Sequence, residues 1–119
     1  MIHKLDFHLY GSINEDIKSD VLFTLYHAGT VKVMFENFSV YVEQDYLAQQ
    51  EQNMLDASTE GEQYTFYYEN NNVAFSGKRI KNTMELSILD KRWTVESVVV
   101  NISIQSWYKL IRNMSLIKI

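Results

Sequence analysis

Three histidines and fifteen carboxylates are the side chains in this chain with the most chemistry to offer. His3 and His8 fall in one predicted strand at odd separation, so they project to opposite faces and cannot share a metal ion. His27 stands alone at the end of a predicted element. No H-x-H, H-E-x-x-H or two-histidine-one-carboxylate spacing occurs, so no metal and no cofactor is expected. The plainer reading is three surface or half-buried histidines. Among the acids, Glu43 with Asp45 and Glu60 with Glu62 are i, i+2 pairs that would each share a strand face. A general acid–base pair needs one member raised in pKa by burial in a cleft. These four lie in polar, loop-like sequence, which fits a solvated acidic surface better.

Other machinery is missing from the pattern. There is no G-x-S-x-G and no S-x-x-K, and four dispersed glycines cannot build a phosphate-cradling loop. The absence of cysteine removes thiolate catalysis, disulfides and cysteine-ligated clusters. The one basic cluster, residues 77–81, could touch a phosphate backbone, but it reads better as a solvated turn that balances the acids. No catalytic residue is assigned, and the chain is expected not to be an enzyme.

What does organise the chain is charge. Residues 34–77 contain no lysine or arginine and eight acids: Glu36, Glu43, Asp45, Glu51, Asp56, Glu60, Glu62 and Glu69. The same stretch carries Tyr41, Tyr46, Tyr64, Tyr67 and Tyr68. Residues 1–33 carry a net −1, residues 34–77 a net −8, and residues 78–119 a net +5. The overall charge of −4 repels phosphate backbones, so direct nucleic-acid binding is not expected. Tyrosine offers large contact area at small entropy cost, and acids steer a basic partner.

The elements that must position these groups follow from periodicity. At 119 residues the chain is one domain, 1–119, with 46% hydrophobic and 22% charged residues. No run of eighteen apolar residues and no basic-then-apolar leader appears, so neither a membrane span nor a signal peptide is expected, and a cytoplasmic site fits. Residues 2–10 alternate, with Leu5, Phe7 and Leu9 on one face. Ser12 and Glu15 form an S-x-x-E capping box, and Ile13, Ile17, Val21 and Leu25 follow at spacing four. These predict a helix over 13–27 ended by Gly29, with a strand over 21–27 as the competing reading. Residues 30–35 and 38–43 are strands, forming either a hairpin or one bent strand. Residues 44–57 predict a thinly amphipathic helix. Residues 63–68 and 73–76 flank Glu69-Asn70-Asn71-Asn72, a hairpin signal. Residues 84–89 and 93–104 flank Asp90-Lys91-Arg92, and Trp107, Leu110, Ile111 and Met114 stand at helical spacing. Phe7, Phe38, Phe66, Trp93 and Trp107 fall on predicted core faces. No internal sequence repeat is visible. The sum is an α+β fold: an antiparallel sheet of five to seven strands with two or three helices packed mainly on one face.

In size, charge and the acidic stretch from Glu36 to Glu69, the chain resembles the immunity proteins of bacterial toxin–immunity pairs. The resemblance is one of class, without a shared motif. It implies a cytoplasmic bacterial inhibitor that covers the cationic cleft of a basic, nuclease-type toxin. The expected partner-binding residues are Glu43, Asp45, Tyr46, Glu51, Asp56, Glu60, Glu62, Tyr64 and Glu69, on a chain for which a monomer is favoured. A phage-encoded inhibitor of a host defence nuclease follows from the same logic. The alternatives are a small-ligand domain with a pocket between sheet and helix, in which His8, Tyr10 or Asn101 would point inward, and a homo-oligomeric domain associating through strand edges and its apolar C-terminal tail.

Overall fold

Alternation of apolar and polar residues builds most of the chain in the computed structural model, which describes residues 4–14 and 17–117. The elements run β1 (Lys4–Asn14), β2 (Ile17–Tyr26), β3 (Thr30–Phe35), β4 (Phe38–Glu43), α1 (Gln44–Glu60), β5 (Thr65–Asn70), β6 (Val73–Ile80), β7 (Thr83–Asp90), β8 (Val98–Ser103) and α2 (Ile104–Leu116). Four strands and a helix therefore occur twice, a repeat of elements with no counterpart in sequence. Two hairpins turn through pairs of residues at positive φ: Glu36 and Asn37 (54° and 69°), and Asn71 and Asn72 (51° and 65°). Such pairs match the twist of the flanking strands.

All neighbouring strands pair antiparallel, in the order β4-β3-β2-β1-β8-β7-β6-β5. Between β1 and β8 the pairing among the described residues is Ser12 with Asn101, where the two four-stranded meanders meet. Gly11 permits that approach: a Cβ there would lie 2.7 Å from Val100 Cγ2 and 2.8 Å from Asn101 O. At the far ends the sheet curls until β4 and β5 come together. Asn70 Nδ2 donates to Tyr41 O at 3.0 Å, and Tyr46 Oη donates to Tyr67 O at 2.7 Å. The result is a nearly closed barrel.

Aromatic side chains fill its interior. Phe23 of β2 and Phe75 of β6 meet with centroids 6.4 Å apart. Trp107 of α2, fully buried, lies parallel to Phe66 at 5.2 Å and tilts against Phe23 at 6.1 Å. Phe66 in turn lies across Gly77, its partner on β6.

Several expectations are corrected. The five-to-seven-strand sheet with helices on one face is instead an eight-stranded, nearly closed barrel with two helices. Where a helix was predicted over 13–27, β2 occupies 17–26 and the chain turns at Gly29 (φ 81°). A spacing of four is even, so Val21 and Leu25 share a face on a strand as well as on a helix. Phe23, buried between them, settles the period at two. Ser12 lies in β1 and pairs with Lys18 of β2, while Glu15 lies outside the described residues, as does His3. Of residues 77–81, 77–80 continue strand β6, with the turn displaced to Lys81 and Asn82. Trp93 is 79% exposed, because Asp90 accepts bonds from Arg92 N, Nε and Nη2 and turns the chain out into a loop before β8. No helix among the described residues is long and apolar enough to cross a membrane.

Gly77 and Gly61 separate two kinds of glycine requirement. A Cβ at Gly77 would fall 2.0 Å from Phe66 Cε1, and that ring is held by Trp107 and Phe75. Gly77→Val should lower stability by about 2–3 kcal/mol through overpacking. Gly61, at φ 70° with nothing within 4 Å, should lose only about 1 kcal/mol as Gly61→Ala, from its left-handed backbone alone. Urea midpoints of the two variants check the ranking.

Candidate functional site

The acids converge on α1, and its placement begins at Gln44. The Gln44 amide donates to Gly29 O at 2.8 Å, and its side-chain Nε2 donates to Met114 O at 2.8 Å and Ile117 O at 2.7 Å. This ties the start of α1 to the end of α2, so the helices run antiparallel side by side. At the other end Gly61 takes the left-handed conformation, and the Glu62 amide donates to Ala57 O at 2.8 Å. Leu47, Gln50 and Met54 face inward. Gln50 is 1% exposed, yet Oε1 accepts from Tyr64 Oη at 2.8 Å and Nε2 donates to Tyr46 O at 3.1 Å. Trp107 Nε1 is buried without a partner among the described residues.

Two of the expected partner-binding tyrosines therefore serve the fold. Tyr64 is 4% exposed, and burial pushes its hydroxyl well above the usual tyrosine range. Tyr46 packs on Tyr68 at 4.8 Å and closes the β4–β5 seam; burial raises its pKa too. The acids divide differently. Asp45, Asp56 and Glu60 lie on the outward face of α1 with Gln49 and Gln52 between them, at spacings of four, three, four and four. Glu43 is exposed at the N-cap and Glu62 just beyond the C-cap. Glu51 is half-buried on the flank toward α2. Glu69 stands apart on β5, where Lys91 Nζ and Tyr67 Oη both donate to it, and the lysine holds its carboxyl below the usual range.

Electrostatically, this leaves α1 unneutralised. Ion pairs among the described residues join His8 to Asp20 at 4.0 Å, Lys91 to Glu69, and Arg92 to Asp90 at 2.8 Å. Of the eight acids in residues 34–77, only Glu69 is so paired. No acid cluster among the described residues is arranged to hold a metal ion. The face can present negative charge about 25 Å long, the length of a 17-residue helix.

A feature not anticipated from sequence lies beside it. Between the C-terminal half of α1 and the start of α2 runs a groove of about 330 Å³, floored by Met54, Leu55, Ile104 and Tyr108 and rimmed by Arg79 and Lys109. It adjoins a second hollow of about 430 Å³ reaching Lys81 and Asn82. The signal was present: Lys109 and Arg112 stand opposite the buried Trp107, Leu110, Ile111 and Met114, and α2 contains no acid. The residues suspected of lining an internal pocket do not do so. His8 and Tyr10 stack on each other at 5.8 Å on the outer face, and Asn101 Nδ2 approaches Ser12 O at 3.4 Å in the seam.

The buried hydroxyl sets an alkaline limit on stability. Unfolded tyrosine gives up its proton at about pH 10, whereas Tyr64 in the fold keeps it. Stability should be whole below that pH and fall above it, by at most about 1.4 kcal/mol per pH unit for one proton. Tyr64→Phe should reduce this slope in alkaline urea titrations, leaving the part due to Tyr46, and should cost about 1–2 kcal/mol at neutral pH by stranding Gln50.

Comparison with known proteins yields little kinship. No protein-family model matches the chain, and no curated protein matches its sequence. Among solved structures the chain is similar to one of SsgB, described with the words that mutations in SsgB correlate to longitudinal cell division during sporulation of Streptomyces coelicolor. The match covers 96% of this chain and 86% of that one at 9% identity, with a TM-score of 0.46. At that level neither a fold family nor a function passes from one to the other.

Proposed function

We propose that this chain is a protein-binding inhibitor that docks the outward face of α1 against a basic protein and covers its cationic surface, as an immunity protein covers a nuclease-type toxin. The observation that carries the reading is the stripe of Asp45, Asp56 and Glu60, continued by Glu43 and Glu62 at its ends. It has no base within the helix and no ion pair among the described residues. Like charges held along one face repel one another, and a cationic partner relieves that repulsion. The lysine and arginine of the loop after β7 are engaged with Glu69 and Asp90 and leave the stripe open. A cytoplasmic, bacterial setting belongs to this proposal. Its phage counterpart, an inhibitor of a defence nuclease, would use the same face.

Among the expected contacts, Tyr46 and Tyr64 drop out as anchors because their hydroxyls bond within the fold, and Glu69 lies off the stripe. The test is association with basic proteins captured from the source cell at low salt and then purified. Asp45→Lys, Asp56→Lys and Glu60→Lys together should slow association by at least about tenfold and flatten its dependence on salt. The dissociation rate should change less. An unchanged on-rate at low ionic strength in the triple variant would overturn the reading.

A further inference from the structure

The two helices differ in charge as sharply as two neighbours can. α1 carries Asp45, Glu51, Asp56 and Glu60 with no base, and α2 carries Lys109 and Arg112 with no acid. They lie side by side, and the groove between them leaves Leu55 47% exposed above Tyr108 and Ile104. Neither Glu51, Lys109 nor Arg112 has an ion pair among the described residues; Arg112 Nη1 reaches only Tyr108 Oη, at 3.4 Å.

From this we infer that the helical face is a docking surface for a second copy of the chain, in an antiparallel-helix dimer with its two-fold axis along the groove. The charges choose the axis. A two-fold lying along the groove sets α1 of one copy over α2 of its partner at the same height, acid over base, with Leu55 and Tyr108 meeting near the centre. A two-fold lying across the helices would set α1 over α1, acid over acid. A patch that is negative on one half and positive on the other is self-complementary, which is what an isologous contact demands. Its extent is modest: a 13-residue α2 is about 20 Å long and two helices are about 20 Å wide. That is about 400 Å² per copy, below the range of stable specific interfaces and in that of weak, transient ones, so the dimer dissociates readily. The inference rests on the reading of α1 as an interface and adds a regulation to it: dimerisation hides the acidic stripe until a more basic partner competes for it.

Sedimentation equilibrium of the purified chain alone, over a wide concentration range and at two salt concentrations, tests this without any partner present. The expected result is a reversible dimer weakened by salt. Glu51→Lys or Lys109→Glu alone should weaken it about tenfold, the two combined in one chain should restore it to within about threefold, and Leu55→Asp should leave a monomer. Melting curves of each variant separate lost contact from lost fold. A wild-type chain that stays monomeric throughout overturns the proposal, as does a dimer indifferent to both single reversals or a double variant weaker than either. These measurements contain no basic partner, and the inhibitor reading stands or falls separately, on the on-rate measured at dilutions where the chain is monomeric.

Discussion

The ring of Phe66 is the point on which the molecule closes. It lies across Gly77 on the neighbouring strand, and Trp107 of α2 stacks on it at 5.2 Å with an interplanar angle of 2°. Without the bare backbone at Gly77 the ring could not lie flat, and without the flat ring the indole would have no floor. Trp107 brings Leu110, Ile111 and Met114 into the interior with it. α2 then holds α1 through the bonds from Gln44, and Tyr64 fixes the middle of α1 through Gln50. The acidic face is thus the last member of a chain of contacts that starts with a missing side chain.

That order explains why so much polar chemistry here is structural. Tyr46 and Tyr64 are aromatic residues with a polar handle, and both spend the hydroxyl inside the fold. Glu69 and Asp90 spend their charge on Lys91 and Arg92 beside the β7–β8 loop. On the two helices the charge is sorted by element, negative on α1 and positive on α2. Exposed pairs contribute little to stability, so leaving these charges open costs the fold little. They remain available for association.

Much of this was legible in the residues and some was not. The Asn71-Asn72 turn, α1, and the inward face of α2 could be read because each rests on local chemistry: positive φ, helix propensity, and a full apolar stripe. Residues 13–27 could be misread because a spacing of four suits both periods, and only Phe23 tells them apart. Gly77 looked like a strand end; its role depends on Phe66, eleven residues earlier, which no local pattern reveals. The same holds for closure at β4 and β5, which depends on Tyr46 and Asn70 reaching across. At the site, the outward acids of α1 followed from helical spacing. The burial of Tyr64 follows from the same alternation: it stands two residues before Phe66 in the expected strand over 63–68 and shares its inward face, so the expectation of a partner-binding tyrosine there ran against the period.

Amide hydrogen exchange of the chain bound to a basic partner, compared with the free chain at low concentration, tests the role of α1 most directly. Slower exchange concentrated on residues 44–62, fading as salt is raised, is the expected result. Protection confined to the β7–β8 loop around Trp93 or to the β4–β5 seam, with α1 unchanged, would contradict it.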